Sequence, residues 1–159
     1  MVTSHAVLSI DFESFAHTPA YRSATGSISN PEDIGPDQME RLLTTLETHD
    51  ADSTFFVVSE VAERHPERVT AAAEHGHEVA SHTHTHRLLT DCTAGQRREE
   101  LVRSREILES VTDSTVTGFR APAFDFESDH FDLLAEAGYE YDSSVAPCRS
   151  IPGWYGGEW

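Results

Sequence analysis

Lysine is absent from this chain. All 11 basic residues are arginines, set against 28 acids, for a net charge of −17. So little positive charge excludes nucleic acid and anionic membrane surfaces as partners. The acids are scattered along helical stretches rather than massed in one block, which fits a salt-adapted, solvated surface; attraction of a cationic substrate is the other reading. Cysteine is scarce too. Cys92 and Cys148 lie far apart and form no CxxC, which excludes a disulfide framework and a thiolate zinc site. No apolar run reaches membrane-spanning length. The opening "MVTSHAVLSIDFESF" has no basic leader region and reads as a strand, not a signal peptide, so a cytoplasmic location and no membrane insertion are expected. At 159 residues with 38% hydrophobic content, one globular domain over 1–159 is expected.

Short β-rich runs alternate with helical patterns. "AVLSIDF" (6–12), "STFFVV" (53–58), "HEVASH" (77–82), "VTGFR" (116–120) and "YEYDSS" (139–144) read as strands. Between them, 36–50 repeats apolar residues at Met39, Leu42, Leu43 and Leu46, the spacing of one helical face. Asp37 with Glu40 suggests a capping box there. Thr93 with Gln96 suggests another, opening a helix over about 94–111. Repeated β-α alternation predicts an α/β fold with a parallel sheet or barrel of about five βα units. The segment 14–35 reads as a long loop after the first strand, and loops at that end of a strand often carry function.

Three sets of residues could carry chemistry. "SHTHTH" puts His82, His84 and His86 at a strand end, with an HxxxH spacing that one helical turn would place on one face. Neutral imidazoles suit zinc and similar ions; a histidine-rich surface loop is the plainer reading. "SIDFES" ends the first strand in Asp11 and Glu13, and residues at i and i+2 of a strand point the same way. Two histidines and one carboxylate would leave open positions on a metal, and the second carboxylate could be a general base. In "GFRAPAF", Arg120 at another strand end could orient Asp11, or could simply be a surface arginine.

In order along the chain, "LSIDFES", "STFFVVSEVAERHPERV", "AAEHGHEVASHTHTH", "GFRAPAF" and "YEYDSS" resemble the motifs of polysaccharide deacetylases with a NodB homology domain. The resemblance covers about residues 6–148. It implies a distorted (β/α) barrel and a divalent metal, zinc being the expected one. The implied reaction removes an N-acetyl group from a sugar or oligosaccharide. Asp11 takes the place of the general base and Arg120 that of its brace. Phe12 stands where the usual second acid falls, so Glu13 takes the metal-ligand role of an acid-x-acid subgroup. His82 and His86 match the histidine ligands, with His84 pointing elsewhere. Pro122 and Asp142 fall on the substrate side. The family's late histidine, its general acid, has no counterpart, because no histidine follows His130 and His130 sits in a helical pattern. The expectation is therefore a C-terminally short domain and a slow enzyme, with His17 on the long loop as an alternative proton donor. A non-catalytic metal- or sugar-binding remnant and a hydrolase of small non-sugar amides are the competing functions.

Overall fold

The structure is a computed structural model that describes residues 6–18, 21, 23, 24, 26, 36 and 38–145. Five short strands form one parallel sheet: β1 (Ser9–Phe12), β2 (Thr54–Val57), β3 (Glu78–Ser81), β4 (Gly118–Phe119) and β5 (Tyr141–Asp142). They lie side by side in chain order. Consecutive order is the winding of a (β/α) barrel; a doubly wound sheet would reverse direction at a switch point. Among the described residues the arc is open, as expected for about five βα units.

Five α-helices are described: α1 (Met39–Thr48), α2 (Ser59–Arg64), α3 (Pro66–Glu74), α4 (Ala94–Thr112) and α5 (His130–Ala137). In α1, Met39, Leu43 and Leu46 are buried and Leu42 packs against the core. Gln38 is its N-cap and makes no side-chain cap bond; Asp37 lies outside the described residues, as do most of the 14–35 loop and the tail with Cys148. The second capping box is formed. Thr93 accepts from Gln96 N, and the Gln96 side chain accepts from Thr93 N. No described helix is long and apolar enough to cross a membrane.

Helix α4 is only partly apolar inside. Leu101 and Leu108 enter the core, while Glu100 and Ser104, also buried, face the end of β3. Close approaches fix β4 and β5. A β-carbon at Gly118 would run into the Tyr141 ring, which crosses that position to donate its hydroxyl to Glu78 Oε1 at 2.8 Å. Gly138 ends α5 at φ 85°, a left-handed C-cap suited to glycine.

Phe119 of β4 is fully buried and packs on the rings of His130 and Tyr139. Phe119→Ala should cost about 3–5 kcal/mol, since it leaves a cavity in a region the chain cannot collapse easily. A loss of unfolding free energy in urea of less than a third of that would mean this side of the sheet is loosely packed.

Candidate active site

The sheet ladder continues past each strand and sets the site residues level. Val58 N donates to Phe12 O, His82 N to Val57 O, Arg120 N to Ser81 O and Ser143 N to Phe119 O. Asp11, Glu13, His82, Arg120 and Asp142 thus gather at the carboxyl ends of the strands, where parallel barrels carry their sites.

Asp11 and Glu13 flank Phe12, which turns into the core on the opposite face. Arg120 reaches Asp11 from three strands away. Its guanidinium lies 4.0 Å over the Phe56 ring, the residue paired with Asp11 in β2. Nη1 donates to Asp11 Oδ1 at 2.7 Å; Nη2 donates to Ser9 Oγ at 2.9 Å and Ser143 Oγ at 2.7 Å. The side chain is only 12% exposed, so its direction is set on all sides. The serines are functional neighbours that sequence reasoning missed. Ser9 carried a signal, because i and i+2 share a strand face with Asp11.

The histidine ligands assigned from the sequence sit on a loop, not on a helical turn. Thr83 and His86 have φ of 67° and 56°, a left-handed geometry that no helix would contain. His82 donates Nδ1–H to Arg120 O at 2.7 Å, and His86 donates Nδ1–H to His17 O at 3.0 Å; the carbonyl partners assign these tautomers. Both Nε2 atoms therefore carry lone pairs. His82 Nε2 lies 3.9 Å from Asp11 Oδ2, and His86 Nε2 lies 3.0 Å from Glu13 Oε2. Burial pushes His82 down to about 4, against the opposing pull of Asp11 and the Arg120 carbonyl bond, so its imidazole is neutral at pH 7.

The Glu13–His86 contact is short but not aligned as a hydrogen bond, and Glu13 Oε2 is buried without a hydrogen-bond partner. An orphaned carboxylate oxygen facing an imidazole lone pair is a donor set in need of a cation. In this conformation the four groups form two pairs, Asp11 with His82 and Glu13 with His86. Among the described residues no three His, Cys, Asp or Glu side chains converge closely enough to hold an ion.

The side chains of the remaining assigned residues are engaged outside these pairs. His84 turns away and bonds Ser59 Oγ through Nδ1 at 2.9 Å. His17 is 1% exposed; its Nδ1 accepts from Ser14 N and its Nε2 donates to Glu60 Oε2 at 2.8 Å. Pro122, assigned to substrate contact, is buried and shapes the turn after Arg120. Asp142, given the same role, has both oxygens engaged internally. Oδ1 accepts from Ser144 N, and Oδ2 accepts from Ser144 Oγ and from His130 Nε2 at 3.0 Å. Ser144 Oγ accepts in turn from Ala121 N at 2.8 Å, so this network braces the Arg120–Pro122 segment.

Burial raises Asp142, yet the bonds from His130 and Ser144 outweigh it and hold the pKa below the usual aspartate value. A carboxyl depressed by folding stabilises the native state above its unfolded pKa. That contribution is lost as pH falls through the lower folded value, here below about pH 4. Asp142→Asn should cost about 1–3 kcal/mol at pH 7. The gap between variant and parent should narrow as pH drops from 4 towards 2. Urea unfolding at both ends of that range measures it, and a gap that widens in acid would contradict the assignment.

The described strands form an open parallel arc of the (β/α) barrel type, with the candidate site at the strand carboxyl ends. The profile of the polysaccharide deacetylase family matches residues 29–141, and the chain belongs to that family. It is 34% identical over 124 residues to a chitooligosaccharide deacetylase of Sinorhizobium fredii, covering 74% of this chain and 57% of that protein. It is 29% identical over 126 residues to a peptidoglycan deacetylase of Helicobacter pylori, covering 76% and 43%. A Mycobacterium smegmatis structure assigned to the polysaccharide deacetylases superposes with a TM-score of 0.74 at 31% identity, covering 87% of this chain and 50% of that one. The chain thus spans about half the length of these relatives.

Proposed function

We propose that this chain carries the base and the metal-binding residues of a carbohydrate N-deacetylase acting on an N-acetylated sugar polymer. The observation that supports it is the pair of imidazoles whose Nδ1–H groups are held by backbone carbonyls. Their Nε2 lone pairs face Asp11 and Glu13. The relatives named for chitooligosaccharide and peptidoglycan support N-acetylhexosamine polymers as the substrate class.

Glu13, His82 and His86 would hold a divalent ion, with zinc suited to two imidazoles and a carboxylate. A bound ion of this kind supplies Lewis acidity and lowers the pKa of water. Asp11 is the base. Its Oδ1 is held by Arg120, which leaves Oδ2 to take a proton from the attacking water. Arg120, fixed by Ser9, Ser143 and the Phe56 ring, keeps that carboxylate from rotating away. The leaving amine needs a proton, and lack of a donor costs about 10²–10⁴-fold. His17 is a poor donor, with both ring nitrogens hydrogen-bonded inside the protein, and His130 is buried against Asp142.

The test is acetate release from N-acetylglucosamine oligomers in molar salt, with bound zinc quantified on the same sample. Stoichiometric zinc with zinc-dependent release is the expected result. Zinc without release would leave a binding domain in place of an enzyme; absence of both would sink the proposal.

A further inference from the structure

The loop between the two histidines has an unusual backbone account. Thr83 O accepts from Ser59 N and Ser104 Oγ, His84 O accepts from Glu60 N, and His86 N donates to Thr83 Oγ1. The amides of His84 and Thr85 point instead at α4. Both donate to one oxygen of Glu100, Oε2, at 2.9 and 2.8 Å, while Thr85 Oγ1 donates to Oε1 at 2.6 Å. Glu100 is 7% exposed and comes from the helix that packs Leu101 and Leu108 into the core.

A buried carboxylate is costly unless its lone pairs are filled. Here all three donors come from the two residues at the centre of the His82–His86 segment. The flanking positions, Thr83 and His86, are the two with left-handed φ, a conformation costing about 1 kcal/mol or more for a non-glycine residue. Without an acceptor at that point, the buried His84 N–H and the partly buried Thr85 N–H would lose their partner and the loop would gain by relaxing towards ordinary backbone. His86 would then swing away from His82, whose ring centroid lies 4.9 Å from its own.

We infer that Glu100 is a positioning residue for the metal site: its carboxylate holds the 83–86 loop in the strained shape that aims His86 beside His82. This rests on the proposed metal-binding role of the two histidines. Glu100 touches neither ligand ring through these bonds and acts through the backbone between them. Glutamine at 100 could keep part of the clamp. Its one oxygen can still accept from both amides, and the Thr85 hydroxyl can reverse to accept from the new NH₂.

Two readouts on Glu100→Ala and Glu100→Gln test this. Amide hydrogen exchange at His84 and Thr85 reads the clamp without metal. Zinc affinity by chelator competition reads its effect on the ligands. In Glu100→Ala, exchange at both amides should quicken by about 10–100-fold, the loss of charge-assisted bonds. Zinc affinity should fall by about 10–100-fold, as for residues that orient metal ligands. Glu100→Gln should lie between parent and alanine on both measures, and it carries the test if the alanine variant does not fold. Unchanged exchange at His84 and Thr85 would overturn the clamp. Fast exchange with parental zinc affinity would overturn its positioning role. Failure of the parent protein itself to bind zinc would overturn the metal reading, and this inference with it; the variants are not needed to see that.

Discussion

Asp11→Asn should leave zinc stoichiometry unchanged and lower zinc-dependent acetate release by about 10²–10⁴-fold, the usual worth of a general base. The substitution is nearly isosteric, and its carbonyl oxygen can keep the 2.7 Å bond from Arg120 Nη1. What it removes is the proton-accepting oxygen on the other side of the group. Loss of rate without loss of metal separates a base from a ligand. If Asp11→Asn releases acetate at the parental rate, the base lies elsewhere and Asp11 is only an anchor for Arg120. If it loses zinc, Asp11 rather than Glu13 is the carboxylate ligand, a possibility that the Asp11–His82 pairing makes concrete.

His82→Ala carries the second large effect. His82 is 2% exposed, with Nδ1 bonded to Arg120 O and Nε2 turned towards the carboxylates. Its removal deletes one imidazole of the donor set and one of the bonds that tie the Arg120 segment to the end of β3. Zinc affinity should fall by at least about 100-fold, the upper end of what orienting residues alone are worth. Thermal stability gives a readout independent of activity. Zinc at 100 times its Kd should stabilise the parent by about 2.7 kcal/mol, and the same concentration should do almost nothing for the variant. An equal zinc-induced rise in both proteins would show that the ion binds without His82.

Local signals foretold the architecture well. Alternating β and α patterns placed each described strand within its predicted window, and the Thr93–Gln96 pair marked the start of α4 at the right residue. The strands proved shorter than their windows. β4 and β5 are two residues each, because pairing with neighbours, not local propensity, decides where a ladder ends. Two residues assigned to the substrate side make internal contacts that the sequence does not announce. Pro122 is buried, and the Asp142 carboxylate is bound to His130 and Ser144. Nothing in the spacing of His130, Asp142 and Ser144 announces that contact, which depends on how α5 packs beside β5.

The sequence by itself determined the elements, their order and the residues at their ends, since period-2 and period-3.6 patterns and capping pairs are written within a few residues of one another. It also brought Asp11 and Glu13 to one strand end. Only the tertiary structure decided which of these residues face each other. The Arg120 brace spans 109 positions, the Glu100 clamp 15 and 16, and the His86–His17 bond 69. Contacts of that range are set by strand register and helix packing, which local pattern does not encode. The HxxxH spacing illustrates the division. It marks His82 and His86, whose rings lie 4.9 Å apart, but the left-handed loop that carries His86 depends on the buried acceptor that α4 supplies to its amides.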